Sequence, residues 1–162
     1  MNEQLEFKKL LKSHGYPFLF QVQSRQIRCK LWDGNDHDPH CDLCAGTGWV
    51  IRYFKRTAIK QNASDVVSHS RLTKPSDIGL VWSPAYVFYL EPGIPLKVGD
   101  RIYEVGWRRN KPWGLQGVYE IKHVDLMRGE NAKPVYLYVG TMRLSVDVPF
   151  HEKLILKLSG GN

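Results

Sequence analysis

Alternation of apolar and polar residues along the second half of the chain predicts a mainly β protein. Gly and Pro residues separate runs of β-branched and aromatic residues that follow this period of two. Short strands joined by such turns predict a small β-barrel or sandwich. The later runs are "YVFYLEP" from Tyr86, "RIYEVGW" from Arg101, "GVYEIKHVDL" from Gly117 and "VYLYVGTMRL" from Val135, and the earlier ones are "FLFQVQSRQIRC" from Phe18 and "WVIRYFKRTAI" from Trp49.

The N-terminal segment has a different period. Between positions 3 and 14 apolar residues recur at helical spacing and lysines occupy the other side, which predicts a short amphipathic helix. Gly15 follows as a C′ residue, and Pro17 ends the helical pattern. The residues on the predicted packing side are Phe7, Leu10, Leu11 and His14.

The two remaining segments are the centre and the C-terminus. Residues 60–84 are polar and weakly periodic, which predicts a long loop with a short strand near Val66. In "EKLILKL", Leu154, Leu156 and Leu158 alternate with Ile155 and Lys157, which predicts a strand. The pattern divides the chain into a helix at 1–17, strands at 18–59 around a cysteine-rich loop at 29–48, the loop at 60–84, a barrel core at 85–143 and an arm at 144–162.

Composition narrows the class of protein. The 162 residues are 43% hydrophobic and carry a net charge of +7, so the chain can form a core and favours nucleic acid, an acidic protein or anionic lipid as partner. A solvated basic surface is the alternative, because no run of Lys or Arg dominates. No apolar run is long enough to cross a bilayer, and the N-terminus does not read as a signal peptide. Three cysteines argue against a secreted disulfide framework, so we expect a reducing cytosol.

The stretch "HDPHCDLCAGTGWV" from His37 is typical of a metal knuckle. Cys41 and Cys44 are followed by Gly-Thr-Gly, and the glycines let the backbone turn tightly around a metal held by thiolates. Cys29 offers a third thiolate from the preceding strand. His37 completes a Cys3His set suited to structural zinc, and His40, next to Cys41, is the alternative fourth ligand.

Two other interpretations of the cysteines compete with zinc. Cys29, Cys41 and Cys44 are small buried hydrophobes in a metal-free turn, or Cys41 and Cys44 form an incidental disulfide. A thioredoxin-like redox pair requires a helix N-terminus at the first thiol, and "AGTGW" opposes a helix there.

The sequence contains no arrangement of a nucleophile, a base and an orienting group, no paired carboxylates and no phosphate-binding glycine loop, so we expect no enzyme. The segment "GWRRNKPWG" combines basic and aromatic residues. It fits a hairpin whose tryptophans pack on the barrel, a protein interface, or nucleic-acid contact, in that order. The residues concerned are Trp107, Arg108, Arg109, Lys111 and Trp113.

The first part of the chain resembles the start of certain structural proteins of tailed bacteriophage particles. In "LLKSHGYPFLFQVQSRQIRCKLWD" and "DPHCDLCAGTGWV", a short helix and a strand lead into a cysteine cluster ending in C-x-x-C-x-G-T-G. The segments "FYLEPGIPLKVGDRIYEV", "GVYEIKHV" and "VYLYVGTMRL" resemble the small β-barrel of phage head-closure proteins, the stopper or head–tail connector proteins. The family-like cluster begins with C-x-C, whereas Lys30 and Leu31 follow Cys29 here, so a histidine replaces the second thiolate or the metal has been lost.

The resemblance implies a mechanical role in the virion. Such proteins form a ring in the connector or neck that closes the DNA-filled head and joins it to the tail. The implied partners are further copies of the chain, a portal or adaptor protein, a tail protein and, without sequence specificity, packaged DNA, with no membrane contact. The protein is then made in the host bacterial cytoplasm. The loop at 60–84 and the arm after Leu144 are candidates for contacts between subunits.

Two alternatives to the connector remain. A zinc-stabilised nucleic-acid-binding module also accounts for the net charge, the knuckle and the basic hairpin. A tail or baseplate component is the other, because small barrels recur in such assemblies.

Overall fold

Six antiparallel strands close into a barrel in the computed structural model, which describes residues 2–34, 37–63 and 86–160. The strand order around the barrel is β1-β2-β3-β6-β5-β4, and the prediction of a mainly β fold with a short N-terminal helix is confirmed. The elements are α1 (Glu3–His14), β1 (Tyr16–Arg28), β2 (Trp49–Asn62), β3 (Tyr86–Leu90), β4 (Arg101–Arg108), β5 (Lys111–Arg128), β6 (Pro134–Leu144) and α2 (Val148–Gly160).

Strand β1 closes the barrel because it pairs with β2 on one side and with β4 on the other. The seam with β4 is short and places Leu19, Phe20 and Gln21 opposite Tyr103, Ile102 and Arg101. The buried carboxylate of Asp100 reinforces it by accepting hydrogen bonds from the Gln23 N–H at 3.0 Å and the Lys97 N–H at 2.8 Å. Closure removes the free edges that an open sheet would expose.

Aromatic and aliphatic side chains fill the interior of the barrel. Phe88 packs edge-on against Phe18 and Tyr119, with ring centroids 5.1 and 5.3 Å apart. One end of the interior is polar, because Lys60 pairs with Glu104 at 2.7 Å and the Tyr119 hydroxyl donates to the same carboxylate at 2.6 Å. The remaining interior residues are mostly aliphatic: Val22, Ala58, Leu90, Ile94, Leu96, Ile102, Ile121, Leu137 and Val139.

Helix α1 packs on the outside of the barrel, against β2, β3 and β6. Phe7 and Leu11 are buried, whereas Leu10, which the helical spacing also placed on the packing side, is half exposed. Gly15 ends the helix, but its φ of −77° is extended rather than left-handed. Glycine is needed there for space, because a Cβ would lie 2.3 Å from the carbonyl oxygen of Leu11 and 2.5 Å from Thr57.

The strand predicted at "EKLILKL" is wrong, because these residues belong to helix α2. His151, Leu154 and Ile155 are buried at helical spacing, and Ile155 packs with Leu19 and other residues on the outer face of the barrel. Leu156 is 45% exposed, which the alternation did not anticipate. Among the described residues, no helix has the length and apolar character needed to cross a membrane.

The predicted boundaries shift at the central segment. Lys60 to Asn62 continue β2 instead of opening the loop, and β1 and β2 extend the barrel beyond residues 85–143. The rest of the loop predicted at 60–84, including the short strand near Val66, falls outside the described residues apart from position 63.

A buried polar chain joins α2 to the barrel. The Gln21 amide donates to the hydroxyls of Tyr53 and Tyr103 at 2.8 and 3.1 Å, and the Tyr103 hydroxyl lies 3.1 Å from Nδ1 of His151. Burial, aided by the positive charge of Arg101, lowers the pKa of His151 to about 4. The helix is therefore docked through a neutral imidazole at neutral pH.

We expect acid to loosen α2. The unfolded imidazole has a pKa of about 6.5, so the unfolded state binds a proton that the folded state refuses until about pH 4. The stabilising contribution of neutral His151 is present above about pH 6.5 and is lost as the pH falls from there towards 4. Urea unfolding at about pH 7.5 and pH 5 should show a smaller loss for His151→Gln than for the unmodified chain. His123→Gln, at an exposed site, is the control; an unchanged loss in His151→Gln would contradict the assignment.

Candidate metal centre

Four residues predicted from the sequence converge in the loop between β1 and β2. The ligand atoms of Cys29, His37, Cys41 and Cys44 all lie within 4.8 Å of one another. The sulfurs of Cys29 and Cys41 are 3.8 Å apart. Tetrahedral zinc, with Zn–S bonds of about 2.3 Å, sets its sulfur ligands about 3.8 Å apart. The cluster therefore has the dimensions of a metal site.

Backbone hydrogen bonds shape the loop around the thiols. The N–H of Cys29, just after β1, donates to the carbonyl of Gly48 at 3.0 Å and closes the neck of the loop. The N–H of Ala45 donates to the carbonyl of Cys41 at 2.7 Å, and the Thr47 hydroxyl donates to the carbonyl of Cys44 at 2.7 Å. The Gly-Thr-Gly motif thus turns the chain back towards β2.

Burial and unmatched polar groups support metal binding. All three cysteines are buried free thiols. Nε2 of His37 is also buried and has no hydrogen-bond partner among the described residues. Such a group costs about 1–3 kcal/mol when it stays unsatisfied. A metal bond would satisfy it, so the donor set fits a Cys3His ion.

The thiols differ in acidity. Burial opposes ionisation of Cys41, but the Leu43 backbone and the His37 side chain favour the thiolate and bring its pKa down to about 7. Burial raises the pKa of Cys44 to about 11. A metal would therefore displace a proton from Cys44 at neutral pH, and its binding would weaken as the pH falls.

His40, the alternative fourth ligand, lies outside the cluster. Its Nε2 contacts the carboxylate of Asp147 at 2.8 Å, and its ring packs edge-on against Phe150 of α2. That contact lowers the pKa of Asp147. The ion pair between Asp42 and Lys157 joins the same loop to α2 a second time. His40 thus links the loop to the helix, and His37 is the histidine that faces the thiols.

An aromatic shell around the cluster was not anticipated from the sequence. Trp32 packs with the cysteines and lies 5.7 Å from the His37 ring. The guanidinium of Arg28 stacks between Trp32 and Trp49, at 4.8 and 3.7 Å from their rings. Gly48, with φ of +74°, leaves room for Trp32. The second glycine of Gly-Thr-Gly was the available signal for this close approach.

The segment "GWRRNKPWG" forms the hairpin between β4 and β5. Arg109 and Asn110 form its two-residue turn with φ of +50° and +64°, and Arg108 pairs with Lys111 across it. Trp107 is partly buried against the barrel. Trp113 is 57% exposed, with the guanidinium of Arg108 5.6 Å from its ring. Residues distant in sequence, Lys55 among them, adjoin this hairpin, as described below.

Replacing one thiolate should remove the metal and open only the loop. In Cys44→Ser, we expect the zinc content to fall from about one per chain to near zero, and amides from 29 to 48 to exchange faster while the barrel stays protected. Elemental analysis and hydrogen exchange measure both effects. His37→Ala should also lose the metal, whereas His40→Ala should retain it. Equal zinc in all three variants would exclude this donor set.

Two glycine variants separate backbone strain from crowding. Gly34 and Gly48 both have positive φ, but a Cβ at Gly48 would lie 2.8 Å from the Trp32 ring and one at Gly34 would meet nothing within 4 Å. Gly34→Ala should therefore cost about 1 kcal/mol from strain alone. Gly48→Ala should cost more and also weaken zinc binding, as measured by thermal unfolding and competition with a chelator. Identical costs would contradict the packing role of Trp32.

Comparison with known proteins adds no assignment. No protein-family model matches this sequence, and no curated protein is significantly similar to it. Function therefore has to be argued from the fold, the metal centre and the surface.

Proposed function

We propose that the chain is a structural protein of a tailed bacteriophage, forming a ring in the connector or neck that closes the DNA-filled head and joins it to the tail. The order of elements carries this proposal: α1 leads into β1, the cysteine cluster follows, and the remaining strands complete a small barrel. This is the order that the resemblance to head-closure proteins implies. The partners proposed are copies of the chain, a portal or adaptor protein, and a tail protein.

We propose zinc as the ion of the Cys3His cluster. Three thiolates and one imidazole are ligands that zinc accepts, and four protein ligands leave no open position for a substrate. The ion would supply a closed, structural site. Its role here is to hold a loop that has few apolar contacts of its own and that also carries α2 contacts through His40 and Asp42.

The barrel suits assembly through its loops and helices. A closed sheet offers no edge for strand addition, so neighbouring subunits must meet through other surfaces. The cysteine loop exposes Leu31 and Leu43, both more than half accessible. A ring needs two different complementary patches on each subunit, and a second apolar patch surrounds α1. Its exposed residues are Leu5, Leu10, Leu126 and Met127.

A nucleic-acid-binding module is the second candidate function. The observation in its favour is the concentration of basic residues around the β4–β5 hairpin, and its test is given in the next subsection. A tail or baseplate position is distinguished from the neck by the location of the protein in the particle.

Immunoelectron microscopy of particles produced from the genome that encodes this chain tests the connector directly. We expect antibody against the chain to label the junction of head and tail, and particles lacking the chain to lose their DNA or remain tailless. Label at the distal tail would replace the connector with the tail or baseplate alternative. Absence from purified particles would reject a virion role.

A surface variant tests the role of the cysteine loop in assembly. Leu31→Ser combined with Leu43→Ser should leave the metal content and the thermal midpoint unchanged but reduce incorporation into particles at least about tenfold, because about 1.4 kcal/mol of lost contact free energy has that effect. Val98→Ser removes an apolar side chain that is equally exposed elsewhere and is the control. Normal incorporation of the double variant would exclude this patch as a subunit contact.

A further inference from the structure

Seven basic side chains from three separate parts of the chain share one surface of the barrel. They come from α1, from β2 and from the β4–β5 hairpin, and we call this surface the basic face. Its residues are Lys8, Lys12, Lys55, Arg56, Arg108, Arg109 and Lys111.

Lys55 joins the parts of the basic face. Its ammonium lies 4.2 Å from the ring of Trp107 and contacts the side-chain oxygen of Asn110 in the hairpin turn. Trp107 in turn donates its indole N–H to the carbonyl of Pro17 at 2.7 Å. The hairpin is therefore fixed against the start of β1, and its arginines are held beside β2.

The other half of the basic face is a groove between α1 and β2. Lys8, Lys12, Lys55 and Arg56 line it, and its volume is about 560 Å³. Glu91 is the one acid in its lining and pairs with Lys8 at 3.6 Å. The face is thus concave, with the hairpin rising beside the groove.

Most of these charges lack a carboxylate partner. Within the described part of the chain, Lys8 is the one member of the basic face that forms an ion pair. Basic residues elsewhere are matched: Lys60 pairs with Glu104, Lys122 with Glu120 and Lys157 with Asp42. The net charge of +7 is therefore concentrated on this face.

We propose that the basic face binds the phosphate backbone of double-stranded DNA without reading its sequence. Duplex DNA carries about one charge per 1.7 Å of its axis, and unpaired Lys and Arg side chains displace its counterions. A concave face fits a convex duplex better than a flat lipid surface. The chain presents no helix aimed at a groove here, so backbone contact is the mode that the geometry supports.

This inference goes beyond the connector proposal, because it concerns the isolated chain and holds in either functional candidate. Four of the seven residues, namely Lys8, Lys12, Lys55 and Arg56, lie far in sequence from the hairpin. Their union with it depends on the closed barrel and on the packing of α1.

Fluorescence anisotropy with a labelled duplex of about two helical turns tests the proposal on the full chain with its metal. We expect the affinity to fall about 10³-fold between about 50 and 200 mM salt, as for about six phosphate contacts. In Lys55→Gln combined with Arg56→Gln, the slope of log affinity against log salt should become shallower by about 1.8, since each phosphate contributes about 0.9.

The matched control is Lys133→Gln combined with Lys153→Gln, which removes the same charge from exposed positions outside the basic face. It should leave the slope unchanged, and the thermal midpoints of both double variants should match that of the unmodified chain. Equal slopes in the two variants would show general attraction and overturn the proposal. If the Lys55 and Arg56 variant unfolds, Arg108→Gln with Arg109→Gln, at an exposed turn, tests the same prediction.

Two further outcomes would assign a different partner. Tighter binding of a single strand, abolished by Trp113→Ala, would indicate base stacking in place of duplex contact. Binding to phosphatidylserine vesicles, with no binding to DNA, would indicate a membrane surface. Either result would overturn the duplex assignment, and neither would bear on the position of the chain in a particle.

Discussion

The pairing of β1 with both β2 and β4 is the constraint on which the rest of the molecule depends. It converts a sheet into a barrel, and it places the two ends of one strand at two functional surfaces. The start of β1 holds the hairpin through Pro17, and its end carries Cys29 into the metal cluster. Loss of the seam would separate both surfaces from the core at once.

The metal loop and α2 form a second layer that depends on this barrel. Helix α2 covers the outer face around Tyr103 through His151, and the loop reaches the helix through His40 and Asp42. The loop also contacts β4, because Arg101 donates to the carbonyl of Ala45 at 3.3 Å. The metal therefore stabilises a loop whose contacts extend to the C-terminal helix, although the exposed ion pairs contribute little on their own.

The sequence predicted the strands well because period-two alternation is a local property, and it predicted the ligand set because knuckle spacing is also local. It misassigned α2 because leucines at 154, 156 and 158 satisfy a period of two, while burial of His151, Leu154 and Ile155 depends on contact with the barrel. Local spacing could not decide between His37 and His40. The basic face also escaped it, since that surface exists only once distant segments pack together.

The short seam between β1 and β4 also has a consequence for the order of folding. Its residues are far apart along the chain, with 82 positions between Gln21 and Tyr103, whereas β1 and β2 are joined through the compact cysteine loop. Loop-closure entropy makes such a distant pairing slow to form. An ion captured early would hold β1 and β2 as a hairpin, so the seam would close onto a template that the metal had already assembled.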